Sequence, residues 1–334
     1  MKLKTKEGIY VKLSALFCAV VVVFDLCVLS PAVNSSHATA FTSGKVVAES
    51  VKASEDNTIQ SKNEEQGEST VAAAADETVL GKIQNKFISP YTANTSYNNV
   101  YLKNSTDQKI NLKELLSEDM GFNIEKNGEA EVLIVHSHAT ESFMQENRDY
   151  YTTLDKSRST DNSKNMVAVG EVLAKKLNNA GIKTIHSDTL HDYPDYNYSY
   201  TNSSKTVKQC LKENPGIKIV LDMHRDAVGG SPDKVKVTTK IGGKQAAQVM
   251  LVMGTDYKDY KENLKLAVHF QQTLEILYPG LARSISLVPY EYNQSLHKGS
   301  MLIEIGTDAN TLEEAKYSAE LVGDALISLC NSLS

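Results

Sequence analysis

The chain is short of the features that would declare a disulfide scaffold, a cysteine metal site or a nucleic-acid binder. Only four cysteines occur in 334 residues. Cys18 and Cys27 lie in an N-terminal apolar stretch, while Cys210 and Cys330 stand far apart, with no CxxC or Cys–His spacing. That pattern argues against a cysteine zinc site or disulfide framework and predicts two isolated buried thiols. Positive charge is not in excess, since the formal net charge is −6. Nucleic-acid phosphates reward dense Lys and Arg patches, and neither an arginine-rich stripe nor a nucleic-acid motif is present, so no nucleic-acid partner is expected. Residues 41–88 lack Trp and Tyr, and Phe41 and Phe87 are their only aromatics. The run Glu64-Glu65-Gln66-Gly67-Glu68-Ser69 offers too little apolar surface to offset ordering entropy. Residues 41–88 therefore read as a disordered tether.

What is present begins with a targeting signal. Lys2, Lys4, Lys6 and Lys12 precede a largely apolar run from Leu13 to Val33, about the length that spans a bilayer. Asp25 interrupts it at a cost in lipid, and Ala38-Thr39-Ala40 has the form of a small-x-small cleavage site. Residues 1–40 are thus a membrane anchor or a cleaved signal segment. Either places residues 89–334, the expected catalytic domain, outside the cytoplasm.

In that domain, apolar runs alternate with helical periodicity. Val132–Val135 reads as a buried strand. Met166, Val169, Leu173 and Leu177 mark a helix over 163–180, with Gly181 where a C-terminal cap belongs. Strands follow at 182–185 and 217–223, separated by a helix over 202–213. The segments 235–241 and 246–253 flank Gly242-Gly243 as a hairpin would. A helix over 259–277, strands at 284–288 and 301–305, and a final helix opened by the capping box Thr311-Leu312-Glu313-Glu314 complete the pattern. Such alternation predicts an α/β fold, a mainly parallel or mixed sheet sandwiched by helices.

Sites in such sheets form at the carboxyl ends of strands. Three ends carry the residue types a zinc hydrolase needs: His136-Ser137-His138-Ala139-Thr140-Glu141, Asp222-Met223-His224-Arg225-Asp226 and Glu304. Catalytic zinc takes three protein ligands and leaves a position for water. His138 and Glu141 are spaced so that one turn aims both at one ion, and His224 completes a His₂Glu set. His136 is an alternative ligand or a group orienting the site. Glu304, flanked by Leu302, Ile303 and Ile305, is the expected general base, its pKa raised by desolvation. Arg225 and Asp226 form an ion pair, or hold a substrate carboxylate or oxyanion. The segment Tyr193–Tyr200 reads as a surface loop with packed rings, and His186 and His191-Asp192 as structural.

At this point the residues resemble a known family. His138-Ala139-Thr140-Glu141-Ser142-Phe143, Asp222-Met223-His224-Arg225-Asp226-Ala227, Glu291-Tyr292-Asn293-Gln294 and the segment from Glu304 through Asn310 to Ala315 look like the stage II sporulation protein P family, over most of residues 108–334. The resemblance implies an N-acetylmuramoyl-L-alanine amidase of phosphorylase/hydrolase-like, zinc-amidase architecture, using Zn2+ and acting on peptidoglycan, with endopeptidase activity in some members. It implies a role in forespore engulfment beside stage II sporulation proteins D and M, from the mother-cell membrane facing the intermembrane space. It also places Asn310 at the substrate or behind the ligands. In the wider zinc amidases the ligand Glu comes from a segment leading into the first helix. The corresponding stretch here is Thr160-Asp161-Asn162, which leaves Glu141 or Asp161 as third ligand, and we assign Glu141. A wall-binding module that only recruits other enzymes, or a metallopeptidase cutting only crosslinks, is the alternative function.

Overall fold

The structure, a computed structural model, describes residues 77–333. The expected anchor or signal at 1–40, Cys18 and Cys27, and most of the expected tether lie outside those residues. The elements in order are β1 Val79–Lys86, β2 Thr95–Tyr97, β3 Val100–Asn104, α1 Leu112–Ser117, β4 Val132–Val135, β5 Tyr150–Thr152, α2 Met166–Asn179, β6 Thr184–His186, α3 Ser199–Glu213, β7 Ile219–Asp226, β8 Lys234–Ile241, β9 Lys244–Ala247, β10 Val249–Gly254, α4 Tyr260–Leu277, β11 Ile285–Val288, β12 Ser300–Thr307 and α5 Leu312–Ser332.

Eight strands form one sheet in the order β2-β3-β11-β10-β12-β7-β4-β6. Only the β2–β3 and β10–β12 pairings are antiparallel, so the sheet is mixed and mainly parallel, as expected. Strands β4 and β10 are buried along their whole length, as befits apolar runs covered on both faces. Strand alternation then divides the side chains. Ile219, Leu221 and Met223 of β7 and Met301, Ile303 and Ile305 of β12 enter the large core, where α2 and α4 pack against α5. Val220, Asp222 and His224, with Leu302 and Glu304, face the other side. There Val207 of α3 closes a smaller cluster over Leu133, Val135 and Val220. The polar strand ends belong to this thinly covered face.

Local signals place the helices. Asn165 Oδ1 accepts from Val167 N at 2.9 Å to cap α2, and Gly181, at φ +81°, ends it with Ile182 N bonding back to Leu177 O at 3.0 Å. The capping box at Thr311 and Glu314 opens α5, a device typically worth about 1 kcal/mol. Asn98 and Asn99, both at positive φ, form the two-residue turn joining β2 to β3.

The structure corrects the sequence reading at three points. Residues 79–86, inside the expected tether, form β1, which pairs with β5 and β8 in a second sheet ordered β5-β1-β8-β9. Its alternation is nearly invisible because Ile83 alone is buried; backbone pairing holds the strand. The Gly242-Gly243 hairpin is real, but its second arm is divided. β9 pairs with β8, whereas β10 joins the large sheet. The break is at Gln248, whose side chain bonds Ile88 N and O and Gly280 O at 2.7, 3.0 and 3.1 Å. Of the described cysteines, Cys330 is buried but Cys210 is only half-buried. Among the described residues no helix is long and apolar enough to cross a membrane.

Candidate metal centre

Parallel β4, β7 and β12 bring their carboxyl ends side by side. Glu304 lies in register with His224, and Asp222 with Val135. Beyond β4 the chain turns: Glu141 N bonds His138 O at 3.1 Å, which folds Glu141 back beside His138. His138 Nδ1 lies 3.5 Å from Glu141 Oε1, and His224 Nδ1 lies 3.6 Å from Glu141 Oε2. Donor atoms of His138, Glu141 and His224 all fall within 4.8 Å of one another, and all three residues are buried. Ligands about 2.0–2.1 Å from a tetrahedral ion stand roughly 3.4 Å apart, so little movement separates this cluster from a coordination shell.

The surroundings select the nitrogens that face inward. His138 Nε2 lies 3.1 Å from Ser199 Oγ at the start of α3, and His224 Nε2 lies 2.9 Å from Asp222 Oδ1. Each imidazole therefore has its Nε2 beside a polar oxygen and its Nδ1 turned to Glu141, although the Asp222 contact lacks hydrogen-bond geometry. Asp222 is itself fixed by Ser137, which donates through N at 2.8 Å and through Oγ at 2.5 Å.

Burial disfavours charge on all of these groups, and their neighbours decide the outcome. Burial pushes Glu141 up, but hydrogen bonds from His138 and His224 outweigh it and hold the carboxyl well below its usual range. Burial likewise opposes a proton on His224, but the charge of Asp222 and bonds to Asp222 and Glu141 raise its pKa well above the ordinary value. Burial dominates at His138, whose pKa falls. Burial pushes Glu304 up to about 8, and its Oε2 is enclosed with no hydrogen-bond partner. With the Glu141 and Asp222 carboxyls held below their usual range, the site has an anionic oxygen between two imidazoles. The mixed imidazole and carboxylate donors fit a divalent cation, and borderline-soft zinc suits such a set.

The remaining expected residues are placed as follows. His136 and His138 diverge once β4 ends. His136 points to α2, its Nδ1 donating to Met223 O at 3.0 Å and its Nε2 lying 2.8 Å from His186 Nε2. Burial drops its pKa to about 3, so it is a neutral ring behind the ligand strand. Asp161 sits on an exposed turn, bonded to Ser163 and Lys164. Arg225 and Asp226 are not an ion pair. Arg225 donates to Ser142 O at 3.2 Å and Ser157 O at 2.6 Å, whereas Asp226 takes Arg283 at 2.7 Å. Buried Arg225 thus straps two loops together, and its N donates to Glu141 Oε2 at 3.1 Å. The amide of Asn310 is spent inside the fold: Oδ1 accepts from Thr307 N and Val237 N, and Nδ2 donates to Glu314 and Val237 O.

Sequence reasoning gave Asp222 no role, although strand period two already put it on the face of His224. It also read Tyr193–Tyr200 as a surface loop with packed rings, without placing those rings at the donors. Tyr193 and Tyr198 are exposed, but Tyr196 stacks on His138 with ring centroids 4.6 Å apart, and Tyr200 meets His138 edge-on at 5.5 Å. His191 braces the turn by donating from Nδ1 to His136 O at 2.7 Å, and Asp192 accepts from Thr140.

Fold and site together define an α/β protein with a buried two-imidazole, one-carboxylate donor set at the ends of adjacent parallel strands. The chain matches the stage II sporulation protein P family over residues 31–327, and it belongs to that family. A curated relative, stage II sporulation protein P of Bacillus subtilis (strain 168), is 31% identical over 204 residues, 58% of this chain and 49% of the relative. The chain thus spans about half the length of the curated relative it matches. Among solved structures, N-acetylmuramoyl-L-alanine amidase AmiC2 of Nostoc punctiforme is similar at TM-score 0.37 and 10% identity, covering 62% of this chain and 98% of that one. The CwlD amidase from Clostridioides difficile, in complex with the GerS lipoprotein, reaches TM-score 0.38 at 14% identity, with 61% and 100% covered.

Proposed function

We propose that this protein is a zinc-dependent N-acetylmuramoyl-L-alanine amidase that cleaves peptidoglycan during sporulation. The observation that carries this reading is the buried His138–Glu141–His224 donor set with an unpartnered carboxyl, Glu304, beside it. His138, Glu141 and His224 would hold the metal. When bound, zinc supplies Lewis acidity that makes water acidic near neutrality and polarises an amide carbonyl.

The chain's own residues do the rest. Asp222 Oδ1 and Ser199 Oγ stand beside the two Nε2 atoms and favour the ring orientation that turns Nδ1 inward. Glu304 takes a proton from the attacking water and returns it to the departing amine nitrogen. A pKa near neutrality suits both halves of that transfer. A module that only binds wall has no need of a carboxyl with an enclosed, unpartnered oxygen beside its donors, which disfavours the recruiter reading. Membership of the family, and the apolar run Leu13–Val33 with its preceding lysines, support delivery of the domain outside the cytoplasm by an anchor or a signal segment. Stage II sporulation proteins D and M are the partners this reading implies.

The test is a zymogram on purified sacculi with the full-length protein. Clearing is expected with zinc, loss on chelation, and recovery when zinc is returned. Clearing by metal-free protein overturns the zinc mechanism, and no clearing under any condition overturns the enzyme reading.

A further inference from the structure

Arg158 is remote from Glu141 in sequence, and no motif marks it. An isolated antiparallel bridge pairs it with Glu141, and Ser159 N bonds Thr140 O at 2.8 Å, so its loop is laid along the ligand turn. One side of the guanidinium is spent. Nη1 donates to Asp192 Oδ2 at 2.6 Å and to Thr140 Oγ1 at 3.1 Å, and the Asp192 side chain is wholly enclosed. One face is covered as well: the guanidinium carbon lies 4.5 Å from the Tyr196 ring centroid, and that ring stacks on His138. Nη2 differs. It stands 3.7 Å from Glu141 Oε1, too far for a hydrogen bond, in a side chain that is 39% exposed. By contrast, Arg225 is buried and its guanidinium serves backbone carbonyls.

A guanidinium anchored through Nη1 and covered on one face beside the metal donors, in a side chain still 39% exposed, is preorganised for an anion. Arginine's rigid fork matches a carboxylate with two parallel hydrogen bonds, and little rotamer entropy is left to lose. The stem peptides of peptidoglycan carry carboxylates close to the amide that joins them to muramic acid. We propose that Arg158 is the specificity-determining clamp of this site and binds a carboxylate of the stem peptide next to the scissile amide. The proposal rests on the amidase reading and adds to it the charge of the substrate.

The test compares two muramoyl peptides that differ only in whether the stem carboxylates are free or amidated. With zinc-loaded full-length protein the free acid should have kcat/KM at least about tenfold higher, mainly through KM, the scale of one charge-assisted pair. Arg158→Gln should bring the ratio close to one while keeping its zinc. Arg158→Lys should recover only part of the preference, because an ammonium offers charge without the fork. Calorimetric titration of both peptides onto the Glu304→Gln protein should show the same preference in binding. Equal use of both peptides by the unaltered protein, or equal loss on both in Arg158→Gln, overturns the clamp and leaves the amidase reading standing. Cleavage of neither peptide overturns the amidase reading, and the calorimetric comparison then decides the clamp alone.

Discussion

Replacing Glu304 by Gln changes one oxygen to nitrogen and removes the only proton acceptor assigned to the chemistry. The side chain keeps its shape between Ile303 and Ile305, and Glu304 is not among the three donors, so zinc content should be unchanged. Positioned proton transfer is worth about 10²–10⁴-fold, and the rate on sacculi should fall by that factor, roughly 3–5 kcal/mol of barrier. Stability supplies an independent check in the metal-free protein. The folded pKa is about 8 against an ordinary 4.5. A raised carboxyl pKa means that folding favours the protonated form. Its contribution is present below pH about 4.5 and is lost as pH rises through about 8. At one pKa unit per 1.36 kcal/mol, the ceiling on that loss is roughly 5 kcal/mol. Metal-free Glu304→Gln should therefore melt with the unaltered protein at pH 4.5 and above it at pH 9. The assay is elemental analysis beside dye release from labelled sacculi, with melting curves at the two pH values. Near-normal turnover, or loss of zinc, in Glu304→Gln would refute the assignment of Glu304 as base.

Further outcomes follow from the same geometry. His138→Ala, His224→Ala and Glu141→Ala should each lose zinc and activity together, whereas Asp161→Ala, on its exposed turn, should keep both; elemental analysis and turnover check this. Asp222→Asn should weaken zinc affinity by about 10–100-fold, because the carboxylate that holds His224 Nε2 is lost; competition with a metal indicator measures it. At Gly170 a Cβ would stand 2.6 Å from both His136 Nε2 and His186 Nε2, so Gly170→Ala should cost about 1–3 kcal/mol in urea unfolding, with the metal donors untouched.

Much of the fold was legible because its central strands are apolar runs and its helices carry caps. β4 runs over the four residues expected of it, and the Thr311 box begins α5 where the sequence places it. β1, β2 and β5 were not legible, since few of their side chains are buried and backbone pairing holds them, across long separations for β1 and β5 and through a tight turn for β2. The donor set was readable for a related reason. His138 and Glu141 are joined by one turn, and parallel register puts His224 and Glu304 side by side. What stands around them was not. Ser199 at the start of α3, with Tyr196 and Arg158 on the segments before and across from it, is placed by paths that depend on tertiary bonds, such as the bridge between Glu141 and Arg158. Arg225 shows the converse. Adjacency to Asp226 suggested a pair, but successive side chains on a strand point to opposite faces, and each found another partner.

The most direct measurement is mass spectrometry of the fragments that zinc-loaded, full-length protein releases from purified sacculi. Cleavage at the muramoyl amide should release stem peptides with a free L-alanine amino terminus and leave glycan strands with unsubstituted lactyl groups, and none of these products should form with His224→Ala. Fragments cut only at peptide crosslinks, with every stem still joined to muramic acid, would contradict amidase chemistry at this site.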